Sequence, residues 1–381
     1  MNFGFTEEQD LLRAEVRKFL DARSPLEEVR KTMESDAGYA PGLWKELAEL
    51  GWLGLTIPEA HGGAGLGWVD LVVLLEETGR TLFPSPLVST TLAAAAILDN
   101  GTDEQKARWL PSLADGSRIG TLALLESQDV LAPSGIALLG KPDGDAFVLT
   151  GTKSFVADAG AANLFVVAFR TGPGAEDLAL GILDGGAPGV SATSHPTMDQ
   201  TKRTGTLTLA NARLPKSAVL LGADGRGAPG RAWPAIARLF DRGAIATTGE
   251  MIGAAEGALA LTVQYAKDRI QFGNPIGKYQ GVKHPLAEMY VDIESTKSLL
   301  YYAAWALDES PAEVPRSASL AKAYASDAFA RIGIDGVQLH GAVGYTAEYD
   351  IQLYLKRSKW ARPTFGDADF HYERVATLGG L

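Results

Sequence analysis

The chain has 381 residues, 46% of them hydrophobic and 21% charged, and carries a formal net charge of −11. That length predicts two or three packed units, and the acidic balance argues against a nucleic-acid surface. With no cysteine in the chain, disulfides, thiolate catalysis and cysteine-bound metal are excluded; a reducing, cytoplasmic setting is the expectation, and no metal site is predicted.

From the start, Thr6 precedes Glu7, Glu8 and Gln9, which predicts an N-cap and an acidic first helical turn. Leu11, Leu12, Val16, Phe19 and Leu20 then recur at helical spacing, and this acidic, amphipathic opening does not read as a signal peptide. Trp44, Leu47, Leu50 and Leu53 repeat the pattern, and Val69–Thr78 begins another helix. The longest apolar run, near Thr91–Leu98, is short and alanine-rich, so no membrane span is expected. From about Gly116 to Ala223 the texture changes. Runs at Ala146–Thr150, Leu164–Phe169, Leu178–Ile182 and Gly205–Leu209, parted by Gly, Pro and Asp, read as strands. Long helical patterns return from Pro234. The order is helices, then strands, then helices, which is not the alternation of a Rossmann fold. We therefore divide the chain into an N-terminal helical domain (1–115), a middle β domain (116–228) and a C-terminal helical bundle (229–381), with the best boundary at the linker Gly222–Gly230.

His61-Gly62-Gly63-Ala64-Gly65-Leu66-Gly67 has the glycine content of a phosphate loop, but it lies between helical segments and not after a strand. It reads as a tight turn. Arg269-Ile270-Gln271-Phe272-Gly273-Asn274-Pro275-Ile276-Gly277-Lys278-Tyr279-Gln280 carries more chemistry. A helix is expected to end near Phe272 and a second to start near Tyr279. Arginine offers a planar fork for phosphate oxygens, and the adjacent phenylalanine can cover an aromatic ring; the same residues also suit a plain helical hairpin with an exposed arginine. Gln338-Leu339-His340-Gly341-Ala342-Val343-Gly344-Tyr345 reads as a helix running into glycines, either a close-approach surface for a pyrophosphate or an ordinary glycine cap.

Taken together these segments resemble the acyl-CoA dehydrogenase family, whose pattern is similar to R-x-x-F-G-x-P-I-x-x-x-Q followed by Q-x-x-G-G-x-G-[FY]. The resemblance extends to Phe5-Thr6-Glu7-Glu8-Gln9, to Gly54-Leu55-Thr56-Ile57-Pro58-Glu59, and to Leu149-Thr150-Gly151-Thr152-Lys153-Ser154-Phe155-Val156. It implies an α+β, mostly α fold: an N-terminal helical domain, a central β-barrel-like domain and a C-terminal four-helix bundle. It also implies FAD between domains, with the adenine end reaching a neighbouring subunit. By position, Arg269, Phe272, Gln280, Gln338, Gly341 and Gly344 would contact the adenosine-diphosphate part of FAD, and Phe155 would lie against the flavin ring. The implied partners are an acyl-CoA substrate, electron-transfer flavoprotein as electron acceptor, and further copies of this chain or a paired acyl-CoA dehydrogenase subunit.

The chain departs from that pattern at the acid. Dehydrogenation next to a thioester needs a carboxylate over the α-carbon. The family's usual C-terminal glutamate position holds Phe365, in Thr364-Phe365-Gly366-Asp367, and the alternative position on the helix before the Arg269 motif holds Gly243. Glu250, seven residues on from Gly243 and so on the same helix face, is the candidate base, although a rise of roughly 10 Å separates the two. A structural or ion-paired role for Glu250 stays open, and Asp367 is a further, shorter alternative. On the flavin side the family's threonines are replaced by Leu125 and Ala157. Two functions follow: an FAD-dependent acyl-CoA dehydrogenase using Glu250 or a displaced acid, or a complementary subunit of an α2β2 acyl-CoA dehydrogenase whose partner brings the base.

Overall fold

Thr6 caps the first helix as its sequence predicts. Its side chain accepts from the Gln9 backbone amide at 3.2 Å while the Gln9 side chain accepts from the Thr6 amide at 3.1 Å, a reciprocal capping box. The computed structural model describes residues 5–221 and 231–381, so the linker at 222–230 lies outside the described residues. Helix α1 (Glu7–Arg23) is followed by α2 (Leu26–Met33), α3 (Pro41–Glu49), α4 (Trp68–Arg80), α5 (Leu87–Asn100) and α6 (Asp103–Ala114). Strands β1 (Gly120–Ala123), β2 (Gly140–Asp143), β3 (Ala146–Ala157), β4 (Leu164–Arg170), β5 (Leu178–Asp184), β6 (Val190–His195), β7 (Thr204–Pro215) and β8 (Val219–Leu220) come next. Helix α7 (Trp233–Asp268), the short strands β9 (Ile270–Gln271) and β10 (Asn274–Pro275), and helices α8 (Gln280–Glu309), α9 (Val314–His340), α10 (Ile351–Ala361) and α11 (Ala368–Leu378) complete the chain.

The chain divides into two compact units, one of Met1–Lys31, Trp68–Phe83 and Ala244–Leu381, the other of Thr32–Gly67 and Pro84–Gly243. In the second unit the strands form two four-stranded sheets, β1-β4-β5-β8 and β2-β3-β7-β6. Their facing sides bury Phe147, Leu149, Phe165, Phe169, Leu207 and Leu214 in a common core, the two-layer solution for sheets with one apolar face. Among the described residues one isolated bridge, Leu139–Arg170, links strand edges of the two sheets. The expected barrel-like domain is therefore a pair of open sheets, because among the described residues no ladder closes the gap between them.

In the first unit α4 and α7 cross with their backbones in contact. A methyl group added at Gly253 would lie 1.7 Å from the Glu76 carbonyl oxygen, and one at Gly79 would lie 2.1 Å from that of Glu250. Glycine on both helices is what allows this approach. Beside the crossing, α1 is tied to α4 by ion pairs: Arg13 Nη1 to Glu76 at 2.5 Å and Arg17 Nη2 to Glu77 at 2.7 Å. Both glutamates are fully buried, and such pairs hold because each charge has a hydrogen-bonded partner. Two sequence expectations shift here. Leu11 points to solvent at 63% exposure while Val16 and Leu20 are buried. Helix α3 stops at Glu49, before Leu50 and Leu53, as Gly51 takes φ +75.

Candidate active site

Helix α7 ends at Asp268, four residues before the expected end at Phe272. Arg269 leads into the β9–β10 hairpin, in which Gln271 pairs with Asn274. The two loop residues are Phe272 at φ +53 and Gly273 at φ +73. Positive φ at both is what a two-residue hairpin loop requires, and a phenylalanine there is strained where glycine is not. The Phe272 ring is 91% exposed, edge-on to Tyr279 at 6.4 Å. Arg269 is exposed too. Gln280 opens α8; Tyr279 provides no side-chain cap to it, and its carbonyl accepts from the amides of Val282 and Lys283 at 3.0 Å.

The second motif meets the first through aromatic rings. Tyr265, one turn before Arg269, stacks on His340 with centroids 4.4 Å apart. Its hydroxyl donates to the His340 carbonyl at 3.2 Å, and Tyr349 packs against the same imidazole at 5.0 Å. The His340 Nδ1 lies 2.7 Å from the Gly336 carbonyl, so it carries the proton. His340 was not singled out from the sequence, although it sits between Gln338 and Gly341. Gln338 is exposed on the last turn of α9. Gly341, at φ +62, has no atom within 4 Å of where a side chain would start, and so offers open backbone. Gly344 does not. A methyl there would meet the Val337 carbonyl at 2.7 Å, so this glycine serves the packing of its own turn. The exposed Arg269 guanidinium, the exposed carboxamides of Gln280 and Gln338 and the uncovered Gly341 backbone are donors whose chemistry fits the diphosphate of a dinucleotide.

In the sheet unit, Phe155 sits where the β3–β7 register slips between Lys153 and Val156. It has φ +55 and is 52% exposed, so the bulge holds an aromatic ring outward. Beneath it Lys153 is fully buried, and its Nζ donates to Glu126 at 2.9 Å and to the Leu124 carbonyl at 3.1 Å. Glu126 also accepts from the amides of Ala137 and Leu138. Burial works to raise the Glu126 carboxyl, but Lys153 and these amides outweigh it and hold it below the usual range. The Ser154 amide donates to the Leu125 carbonyl at 3.0 Å, and the Ala157 carbonyl accepts from Thr121 at 2.6 Å. Leu125, Phe155 and Ala157 thus lie along connected segments, with no hydroxyl at either of the two substituted positions.

The acid positions differ from one another. Glu250 is buried, at 5% exposure, at the point where α7 touches Gly79. The fully buried Glu76 and Glu77 on the facing helix are committed to arginines. Asp367, the shorter alternative, is the N-cap of α11 and accepts from the Phe370 amide at 2.9 Å. Phe365 occupies a left-handed turn at φ +58. Below that turn, the buried Lys322 donates to the carbonyls of Arg362 at 2.8 Å and Gly366 at 2.9 Å and to Ser326 Oγ at 2.9 Å. His371 Nε2 donates to the Phe365 carbonyl at 3.0 Å, leaving Nδ1 to accept from Ser319 at 3.2 Å. Burial pushes the Lys322 ammonium down to about 7, with Asp367 opposing. Burial, and after it the Lys322 charge, push the His371 imidazole down to about 3. Neither residue was drawn out by its sequence.

Comparison with known proteins gives the family. Residues 6–117 match the model for the acyl-CoA dehydrogenase N-terminal domain, and residues 230–378 that for the acyl-CoA dehydrogenase C-terminal domain. The chain is 34% identical over 362 residues, covering 95% of each chain, to acyl-CoA dehydrogenase IpdE2 of Mycolicibacterium smegmatis. Among solved structures it is similar to a variant of the Tcur3481-Tcur3483 steroid ACAD, at 34% identity, TM-score 0.87 and 98% of each chain. It is also similar to a chain of the ChsE4-ChsE5 complex from Mycobacterium tuberculosis, at 27% identity, TM-score 0.89, 100% of this chain and 99% of that one.

Proposed function

The chain belongs to the acyl-CoA dehydrogenase family of FAD-dependent oxidoreductases, and on that premise we propose that it serves the α,β-dehydrogenation of an acyl-CoA thioester as the complementary subunit of a two-chain enzyme. In this reading the chain supplies the donor surface for the diphosphate end of FAD, and a second family chain supplies the carboxylate that takes the α-proton. One observation carries it: Phe365 and Gly243 fill both usual acid positions, while the surface from Arg269 to Gly341 keeps its donors. Bound FAD supplies the acceptor for the hydride leaving the β-carbon. The protein's part is to orient and to desolvate. Arg269, Gln280 and Gln338 would anchor the nucleotide and Phe272 would cover it; separately, the bulge presents Phe155 as an aromatic face for a flavin ring. Two of the similar structures are described by paired chain names, which supports a heteromeric assembly, and the steroid description makes a ring-bearing acyl-CoA the first substrate to try. Electron-transfer flavoprotein is the acceptor that family membership points to.

A second reading rests on Glu250, buried on the Gly243 face of α7, as this chain's own base. The two separate cleanly. The chain purified alone should not bleach with acyl-CoA, and co-expression with a family chain that carries the glutamate should restore bleaching. Bleaching by the lone chain would transfer the function to the second reading. There, Glu250→Gln should cut the reductive half-reaction by about 10²–10⁴-fold, the usual worth of a positioned base.

A further inference from the structure

The 362–367 turn is better fastened than a connection between two helices needs to be. Lys322 on α9 is 0% exposed, and each of its three N–H donors has an acceptor; two of those acceptors are backbone carbonyls of this one turn. His371 on α11 adds a donor to a third carbonyl, that of Phe365, and its other nitrogen is satisfied by Ser319. Ser319 in turn accepts from Arg374 at 3.2 Å. Burying an ammonium costs several kcal/mol unless it is fully hydrogen-bonded, and a methionine would fill the same volume without that cost. What the lysine adds is direction. It pulls Arg362 O and Gly366 O, on either side of residue 365, toward a single point. His371 fixes the carbonyl of residue 365 itself, and Gly366, at φ +101, leaves no room for a side chain beside Phe370. The left-handed backbone at Phe365 is over-determined by these contacts, as a strained residue must be in order to persist.

We propose that Lys322 and His371 are positioning residues for position 365, holding its turn in one geometry, so that this chain keeps the platform on which its family carries the catalytic glutamate although the glutamate itself is gone. The inference rests on the reading of Phe365 as that position. It makes Phe365 a fixed apolar plug, and it makes the platform separable from the base.

The absence of cysteine allows a direct test. Phe365→Cys in the FAD-loaded protein gives one attachment point for a nitroxide, and Lys359→Cys, exposed on α10, gives a control. The spectrum at 365 should show restricted motion. Adding Lys322→Met or His371→Leu should shorten its correlation time roughly threefold or more, toward loop-like motion, with the label at 359 unchanged. His371→Gln, which keeps a donor of similar reach, should restore the restricted spectrum. Unchanged motion at 365 in both variants, or equal loosening at 365 and 359, overturns the proposal. Should Lys322→Met fail to fold, the His371 pair decides it. The label reports on the turn whichever chain supplies the base, so a lone chain that bleaches would overturn the functional reading and leave this result standing.

Discussion

At the 270–275 hairpin, Phe272 holds a left-handed backbone with its ring 91% exposed; at the 362–367 turn, Phe365 holds the same backbone above a buried lysine and histidine. The first is kept in shape by a two-residue β loop and by ring contact with Tyr279. The second is kept in shape by charge and hydrogen bonds from two other helices. The exposed, strained aromatic beside an exposed arginine is the part of the chain that the proposed function makes a binding surface. A clamped turn is complete already. On the function proposed above, the difference separates two halves: a hairpin that would receive the nucleotide, and a turn whose scaffold stands without an acid at residue 365.

The most severe way to break that comparison is to put the acid back. Phe365→Glu should raise flavin bleaching of the lone FAD-loaded chain by about 10²–10⁴-fold over the unmodified chain, read by stopped flow with a ring-bearing acyl-CoA. No rise would mean that position 365 is not the base position. At the receiving half, Arg269→Ala should weaken FAD about 10–100-fold and leave FMN unchanged, since a charge-assisted phosphate contact is worth about 1.5–3 kcal/mol. Equal losses for both flavins in titrations would take the diphosphate away from Arg269.

The clamp predicts a pH signature. The folded His371 titrates near 3, pushed down by burial, Lys322 and Arg374 and opposed by Asp367. Between about 6.5 and 3 the unfolded chain therefore binds a proton that the folded chain refuses, and stability falls as pH drops, by about 1.4 kcal/mol per unit. Denaturant midpoints measured over that window should lose this slope in His371→Leu. The smallest effect belongs to the hairpin. Phe272→Gly relieves a left-handed phenylalanine and should stabilise the chain by about 1 kcal/mol in thermal unfolding, while weakening FAD. A destabilised variant would mean that the ring packs against something within its own chain.

Much of this was legible in the sequence where the signal is local. The capping box at Thr6, the strands within β3, β4, β5 and β7, and the glycine of the hairpin loop all declare themselves within a few residues. The end of α7 did not, because Arg269 to Phe272 reads as well in helical period as in a two-residue strand. Gly344 looked like a place of ligand approach, yet its neighbour is its own helix. Lys322 and His371 were invisible for a different reason: Lys322 reaches carbonyls at 362 and 366, and His371 reaches back to a hydroxyl on Ser319. No pattern along the chain marks a backbone acceptor. Likewise Glu126 and Lys153 acquire meaning only when β3 comes alongside the segment after β1.

The crossing of α4 and α7 bears on how such a family can drift. With glycine backbones in contact at Gly79 and Gly253, α7 can neither rotate nor slide against α4 without collision, so the stretch of α7 at that crossing behaves as a ruler clamped at one mark. A substitution can place a carboxylate at another graduation of the ruler, but no substitution can shift the ruler itself. An acid carried on α7 can therefore move only by whole helical turns along one face, and Gly243 and Glu250 stand nearly two turns apart.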